Sequence, residues 1–151
     1  MTPATREAFL SLSVELTGFD EFELVRTGAV DVYYRWLAGA FADVLPELLS
    51  AWQAAASGPD REAALRREIL GDPKLGPFAR GVLVLWYTAA WNQLPPDWST
   101  AYGTHPEDVN KAFGETYAEG LVWKTANLHP LGAKPPGFGT WAFPPEVDRG
   151  R

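Results

Sequence analysis

The chain contains two histidines, His105 and His129, and each is followed by a proline. Histidine suits proton transfer near neutral pH and is the commonest metal ligand. A metal site would need further ligands at ligand spacing, and no such motif surrounds either residue. Loop hydrogen bonding is therefore the preferred reading for both. Carboxylates are the next candidates. Glu115 and Glu119 share a face if their stretch is helical, which would suit acid–base work, but a solvated face is the plainer reading. Asp20, Glu21 and Glu23 cluster at an expected helix start, where capping and the helix dipole account for them. No GxSxG is present to place a serine nucleophile. Gly137 and Gly139, in PGFGTW, do not match GxGxxG, and nothing after them reads as the helix a phosphate loop needs. With no cysteine in the chain, disulfides, thiolate metal sites and cysteine nucleophiles are excluded. No catalytic, cofactor-binding or metal residue is assigned. A free-standing enzyme using Asp97, Glu115 or Glu119 with His105 or His129 is the alternative, and it requires one cleft that gathers them.

These residues must be held by a chain of 151 residues, enough for one domain with a real core. A hydrophobic content of 46% is that of a folding chain. A net charge of −6 argues against nucleic acid as the main partner. The start, MTPATREAF, lacks a basic region followed by an apolar run, so the chain as written is expected in the cytoplasm. A periplasmic place would need a trimmed signal or one supplied by a partner.

The pattern predicts an all-α fold: one compact helical body over about residues 3–94, then an irregular segment and an extended C-terminal wrap over about 95–145. Phe9, Leu12 and Leu16 form a helical stripe ended by Gly18. Asp20 caps a second helix, along which Phe22, Val25, Ala29, Val32 or Tyr33, and Trp36 continue the 3.6 period. A third, entered near Pro46, buries Leu45, Leu48, Leu49, Trp52 and Ala56. A weaker stripe, Leu65 and Ile69, lies between the loops SGPD and GDPKLGP. Then comes GVLVLWYTAAW, Gly81 to Trp91, apolar on every face. A helix of that kind is buried, and it is short of the roughly 20 residues that span a membrane. Pro77 fits its first turn, and Pro95 and Pro96 stop it after Gln93 and Leu94. The indoles of Trp86 and Trp91 and the phenol of Tyr87 need partners, from this chain or from another protein. A short helix is expected from Pro106 to Phe113.

Seven tryptophans are present, and five lie from Trp86 onward. Trp36, Trp52, Trp86 and Trp91 read as core. Trp98, Trp123 and Trp141 fall in stretches that read as irregular, where large aromatics are typical of contact anchors. With Phe138 and Phe143 of the wrap, they are the expected partner-contact residues. For Trp123 and Trp141, packing against the chain's own helices is an equally open reading.

Three stretches resemble a known family: FLSLSVELTGF (Phe9 to Phe19), ILGDPKLGPFARGVLVLWYTAAW, and YAEGLVWKTANLHPLGAKPPGFGTWAFPP. Together they resemble the small subunit of bacterial membrane-associated FAD-dependent sugar and alcohol dehydrogenases, such as the sorbitol, fructose, glucose and gluconate dehydrogenase complexes. The resemblance implies a subunit with no cofactor of its own. Its partner would be a large flavoprotein of the glucose–methanol–choline oxidoreductase type, which carries FAD and the catalytic histidine. It also implies a role in maturing that partner, often export by a twin-arginine signal, and a multihaem cytochrome c as electron acceptor. Two departures stand out. No export signal is seen, and Ala133 to Phe138 hold no cysteine where some relatives bridge to the large subunit. Association is therefore expected to be noncovalent, and part of the surface near Trp86, Tyr87 and Trp91 is expected to be covered only in the complex.

Overall fold

The computed structural model describes residues 3–131, and these are mostly helical. Eight α-helices occur in the order α1 (Pro3–Thr17), α2 (Glu21–Arg26), α3 (Val30–Ala40), α4 (Val44–Ala56), α5 (Arg61–Ala64), α6 (Leu75–Thr88), α7 (Pro96–Tyr102) and α8 (Leu121–Thr125). A π-helical turn, Leu65–Leu70, follows α5, and a 3₁₀ turn, Gly114–Glu119, precedes α8. Two short strands, β1 (Ala90–Trp91) and β2 (Lys111–Ala112), pair antiparallel, with Ala90 opposite Ala112.

The helical stripes bury as their spacing dictates. Phe9 and Leu12 of α1, and Leu45, Leu48, Leu49 and Trp52 of α4, lie in one core with Leu65 and Ile69 of the π turn. Pro46 falls in the first turn of α4, where its missing N–H costs nothing. Asp20 caps α2 in a capping box with Glu23. The expected run from Phe22 to Trp36 is broken, however. Gly28 takes φ +70°, a left-handed conformation that Gly adopts without a Cβ clash, and the chain turns there between α2 and α3. The turn puts the α2 end of the stripe into solvent: Phe22 is 70% exposed. Ala29, Val30 and Tyr33, beyond it, are buried.

α6 contacts α1, α4, α8, β1 and the π turn. Asp72 accepts from the backbone N–H groups of Lys74 and Leu75 at its start. Val82, Leu85 and Trp86 are buried, Leu83, Val84 and Tyr87 are half-buried, and Thr88 is exposed. One flank therefore stays wet. The helix also ends earlier than expected, at Thr88, with Ala89 left-handed at φ 53°. Tertiary contacts overrule the apolar run. Trp91 folds back over α6, so close that a Cβ on Gly81 would lie 2.7 Å from its ring. Its indole N–H donates to Asp108 Oδ1 at 2.9 Å. The ring sits among Trp36, Phe41 and Phe78, at centroid distances of 5.4, 5.1 and 5.7 Å.

The same pull removes the helix expected from Pro106. Asp108 is buried and also accepts from the Leu94 N–H at 3.1 Å, while Lys111 and Ala112 pair with β1. Trp98 and Trp123, read as lying in irregular chain, belong to α7 and α8 instead; Pro96 opens α7 and Gly103 closes it.

Every indole and phenol on or after α6 that was expected to need a partner finds it in this chain. Trp86 Nε1 donates to Ser13 Oγ at 3.0 Å, and Tyr87 Oη donates to the Thr17 carbonyl at 3.1 Å. Trp86 and Trp91 are almost wholly buried within this chain, while Tyr87 stays half-buried. Among the described residues no helix is long and apolar enough to cross a membrane.

Candidate partner-binding site

α2 and the stretch from Ala118 to Pro130 form the two walls of a cleft of about 330 Å³. Phe19, Glu23, Arg26 and Thr27 line one side; Glu119, Trp123, Lys124, Leu128 and His129 line the other. Two local devices position the second wall. The 3₁₀ turn brings the Tyr117 carbonyl to Trp123 Nε1 at 2.9 Å, and Tyr117 and Trp123 meet edge-to-face at 5.4 Å. After α8 the Leu128 N–H returns to the Trp123 carbonyl at 2.8 Å. Trp123 is thus fixed but half-buried, with part of its ring open to the cleft.

An ion pair joins the walls: Lys124 Nζ donates to Glu23 Oε1. That hydrogen bond, followed by one from the Asp20 N–H, holds the Glu23 carboxyl below its usual range. Lys124 also stands 5.3 Å from the centre of the Phe19 ring, and Arg26 stands 5.9 Å from that of Phe22. The cleft lining is balanced in charge, with Glu23 and Glu119 against Arg26 and Lys124; Leu128, which lines it, is 62% exposed, and Phe22 and Leu131, next in sequence to the lining residues Glu23 and Pro130, are 70% and 79% exposed.

The expected contact residues are placed unequally. Trp123 lies in the cleft. Trp98 is 3% exposed, and its N–H is satisfied by the Lys74 carbonyl at 2.8 Å, so its ring offers a partner almost no surface. Phe138, Trp141 and Phe143 lie outside the described residues.

The residues considered for catalysis are dispersed. Glu115 and Glu119 diverge, because a 3₁₀ turn has three residues per turn and sets i and i+4 about 120° apart. Glu119 lines the cleft, while Glu115 lines a separate groove beside Trp36 and Lys111. His129 is on the cleft wall. His105 is elsewhere: its Nε2 is 2.8 Å from Asp43 Oδ1, and its ring lies 5.0 Å from Phe41 and 5.7 Å from Trp98. The His105 hydrogen bond holds the Asp43 carboxyl below its usual range. Asp97 is exposed and accepts from the Trp98 N–H at 3.1 Å. Tyr33, buried against Thr116, has its phenol pushed up to about 12. That places the Tyr33 phenol in a neutral, structural role. Among the described residues no group of three or more potential ligands is arranged for a metal ion.

Three buried polar residues carry more of the architecture than their sequence context suggests: Ser13, Asp108 and Thr116. Nothing in the sequence distinguishes Ser13 from a chance polar residue on an apolar stripe. Asp108 read as part of a short helix because its two N–H donors, on Trp91 and Leu94, are 17 and 14 residues away.

No family model matches the chain, and no curated protein or solved structure matches it.

Proposed function

We propose that this chain is a non-catalytic small subunit that binds and stabilises an FAD-dependent oxidoreductase of the glucose–methanol–choline type, acting on a sugar or polyol-like alcohol. The observation that carries a binding role is the cleft between α2 and α8, with Trp123 on its wall, Leu128 exposed in its lining, and Phe22 and Leu131 exposed next in sequence to lining residues. The class of partner comes from the resemblance of the three stretches quoted above. On this reading the chain holds no cofactor, FAD resides in the partner, and a cytochrome c takes the electrons. Trp123, with Phe138, Trp141 and Phe143, supplies aromatic contact area. With no cysteine, the association is noncovalent, and apolar burial at about 25 cal/mol per Å² is its main driving term.

The test is co-expression with a flavoprotein of the glucose–methanol–choline type from the same genome, followed by purification through a tag on this chain. The expected result is co-purification of a yellow, substrate-reducible flavoprotein that is insoluble or inactive when made alone. Recovery of this chain by itself, with active flavoprotein made equally well in its absence, overturns the reading. A different protein recovered in stoichiometric amount would mean a helical binding module with an unrelated partner.

A further inference from the structure

Two buried side-chain polar atoms among the described residues have no hydrogen-bond partner, Trp36 Nε1 and His105 Nδ1. The His105 ring is already anchored through Nε2 to Asp43, whereas an indole N–H can only donate and its single bond is unmade. Trp36 borders a groove of about 460 Å³. Val32, Arg35 and Trp36, at i, i+3 and i+4 along α3, form one wall; Lys111, Ala112, Phe113 and Glu115 form the other. Arg6, Arg61, Arg66, Arg67, Lys74 and Lys124 are ion-paired, but Arg35 and Lys111 find no carboxylate among the described residues. Arg35 Nε donates to the Asp31 carbonyl at 3.1 Å, while the Asp31 carboxylate is taken by Arg6. Lys111 Nζ stands 5.4 Å from the centre of the Phe113 ring. In a chain of net charge −6, two unpaired cations on one groove need an explanation. We propose that this groove takes an acidic, extended segment of a partner protein. A carboxylate of the segment sits between Arg35 and Lys111 and accepts from Trp36 Nε1, and the apolar side chain beside it lies along Val32 and Ala112.

Charge selects the occupant. Hydrogen bonds from Arg and Lys to a carboxylate are charge-assisted and stronger than neutral ones. Two cations beside one acid, Glu115, suit a single carboxylate with an N–H for Glu115, and a peptide supplies both. A phosphate dianion would bring twice the charge up against Glu115. Access is open, because Arg35, Lys111, Ala112 and Glu115 are all exposed. β2 is paired along one edge only, so its main chain has groups to offer an extended segment, as in strand addition. The groove shares no lining residue with the α2–α8 cleft, so its occupant is independent of the proposed function.

Short random peptides displayed on phage, selected against the full chain, test this. The selected peptides are expected to share an Asp or Glu. A synthetic copy should bind the full chain and shift the indole N–H cross-peak of Trp36, identified by its loss in Trp36→Phe. Replacing the peptide carboxylate by its amide should weaken binding by about tenfold or more, and so should Arg35→Gln with Lys111→Gln in the chain. Arg66→Gln with Arg67→Gln, which removes the same charge from another exposed position, should leave affinity unchanged. Urea midpoints verify that both variants stay folded. Selection of no acidic peptide overturns the proposal. So does binding that survives the Arg35 and Lys111 substitutions, that is lost equally in the Arg66 and Arg67 control, or that leaves the Trp36 cross-peak in place. Displacement of the peptide by inorganic phosphate as readily as by free peptide would mean a small-anion site, and likewise overturns it.

Discussion

Ser13 stands where the α1 stripe would accommodate an alanine, yet its hydroxyl is fully buried and serves two partners. It donates to the Phe9 carbonyl at 2.8 Å and accepts the Trp86 N–H at 3.0 Å. Ser13→Ala leaves a buried indole donor with no acceptor, and such a group costs about 1–3 kcal/mol. Ser11 makes the matching bond to Trp52 at 3.2 Å from an exposed position, where water can replace it. Urea unfolding should therefore show a loss of about 1–3 kcal/mol for Ser13→Ala and less than about 0.5 kcal/mol for Ser11→Ala. Asp31 supplies the pH-dependent case. Its carboxylate accepts two hydrogen bonds from the Arg6 guanidinium, which hold it below its ordinary value of 3.8 despite partial burial. A lowered carboxylate stabilises the fold above its unfolded value and loses that effect as pH falls through the folded value. Both side chains are substantially exposed, so the contribution stays within about 1 kcal/mol. The melting temperature of Asp31→Asn should fall below that of the unchanged chain at pH 7, and the gap should close as the pH drops below 3.8.

Among the elements, α6 decides most. An exposed helix gains about 1 kcal/mol when an interior glycine becomes alanine. At Gly81 the new methyl would lie 2.7 Å from the Trp91 ring. That ring cannot swing aside, because Asp108 holds its N–H and Trp36, Phe41 and Phe78 surround it. Overpacking of this kind costs about 1–3 kcal/mol, so the clash is expected to win. Gly81→Ala should unfold at lower urea, with a changed tryptophan emission reporting the displaced Trp91; a rise in stability would show that the ring yields. The α2–α3 break teaches the same lesson at another place. The spacing from Phe22 to Trp36 fits one helix, but Gly28 turns the chain and leaves Phe22 and Val25 outside the core.

At the scale of the whole molecule, the described residues bury a core of their own side chains, and the proposed function assigns binding to the α2–α8 cleft. Within the proposed complex, Trp123→Ala should weaken partner affinity by about 2 kcal/mol or more, as truncation of a central aromatic anchor does. Calorimetric titration of the purified partner checks this, with Trp98→Phe as a control. Trp98 faces inward, so its replacement should lower stability through the lost bond to Lys74 while leaving affinity unchanged.

The sequence by itself determined the all-α class, the stripes of α1 and α4, the cap at Asp20 and the burial around Leu85 and Trp86. These follow from local periodicity and cap chemistry, which act over a turn or two of chain. Only the tertiary structure decided where α6 stops, that Glu115 and Glu119 face different grooves, and that Trp98 turns inward. It also decided that Ser13 and Thr17 receive the donors of Trp86 and Tyr87. Apart from the divergence of Glu115 and Glu119, which follows from the local 3₁₀ turn, those outcomes depend on partners 14 to 73 residues apart, such as Leu94 with Asp108 and Ser13 with Trp86. A spacing rule cannot register such pairs, because each becomes favourable only once packing has brought its two ends together and excluded water from between them.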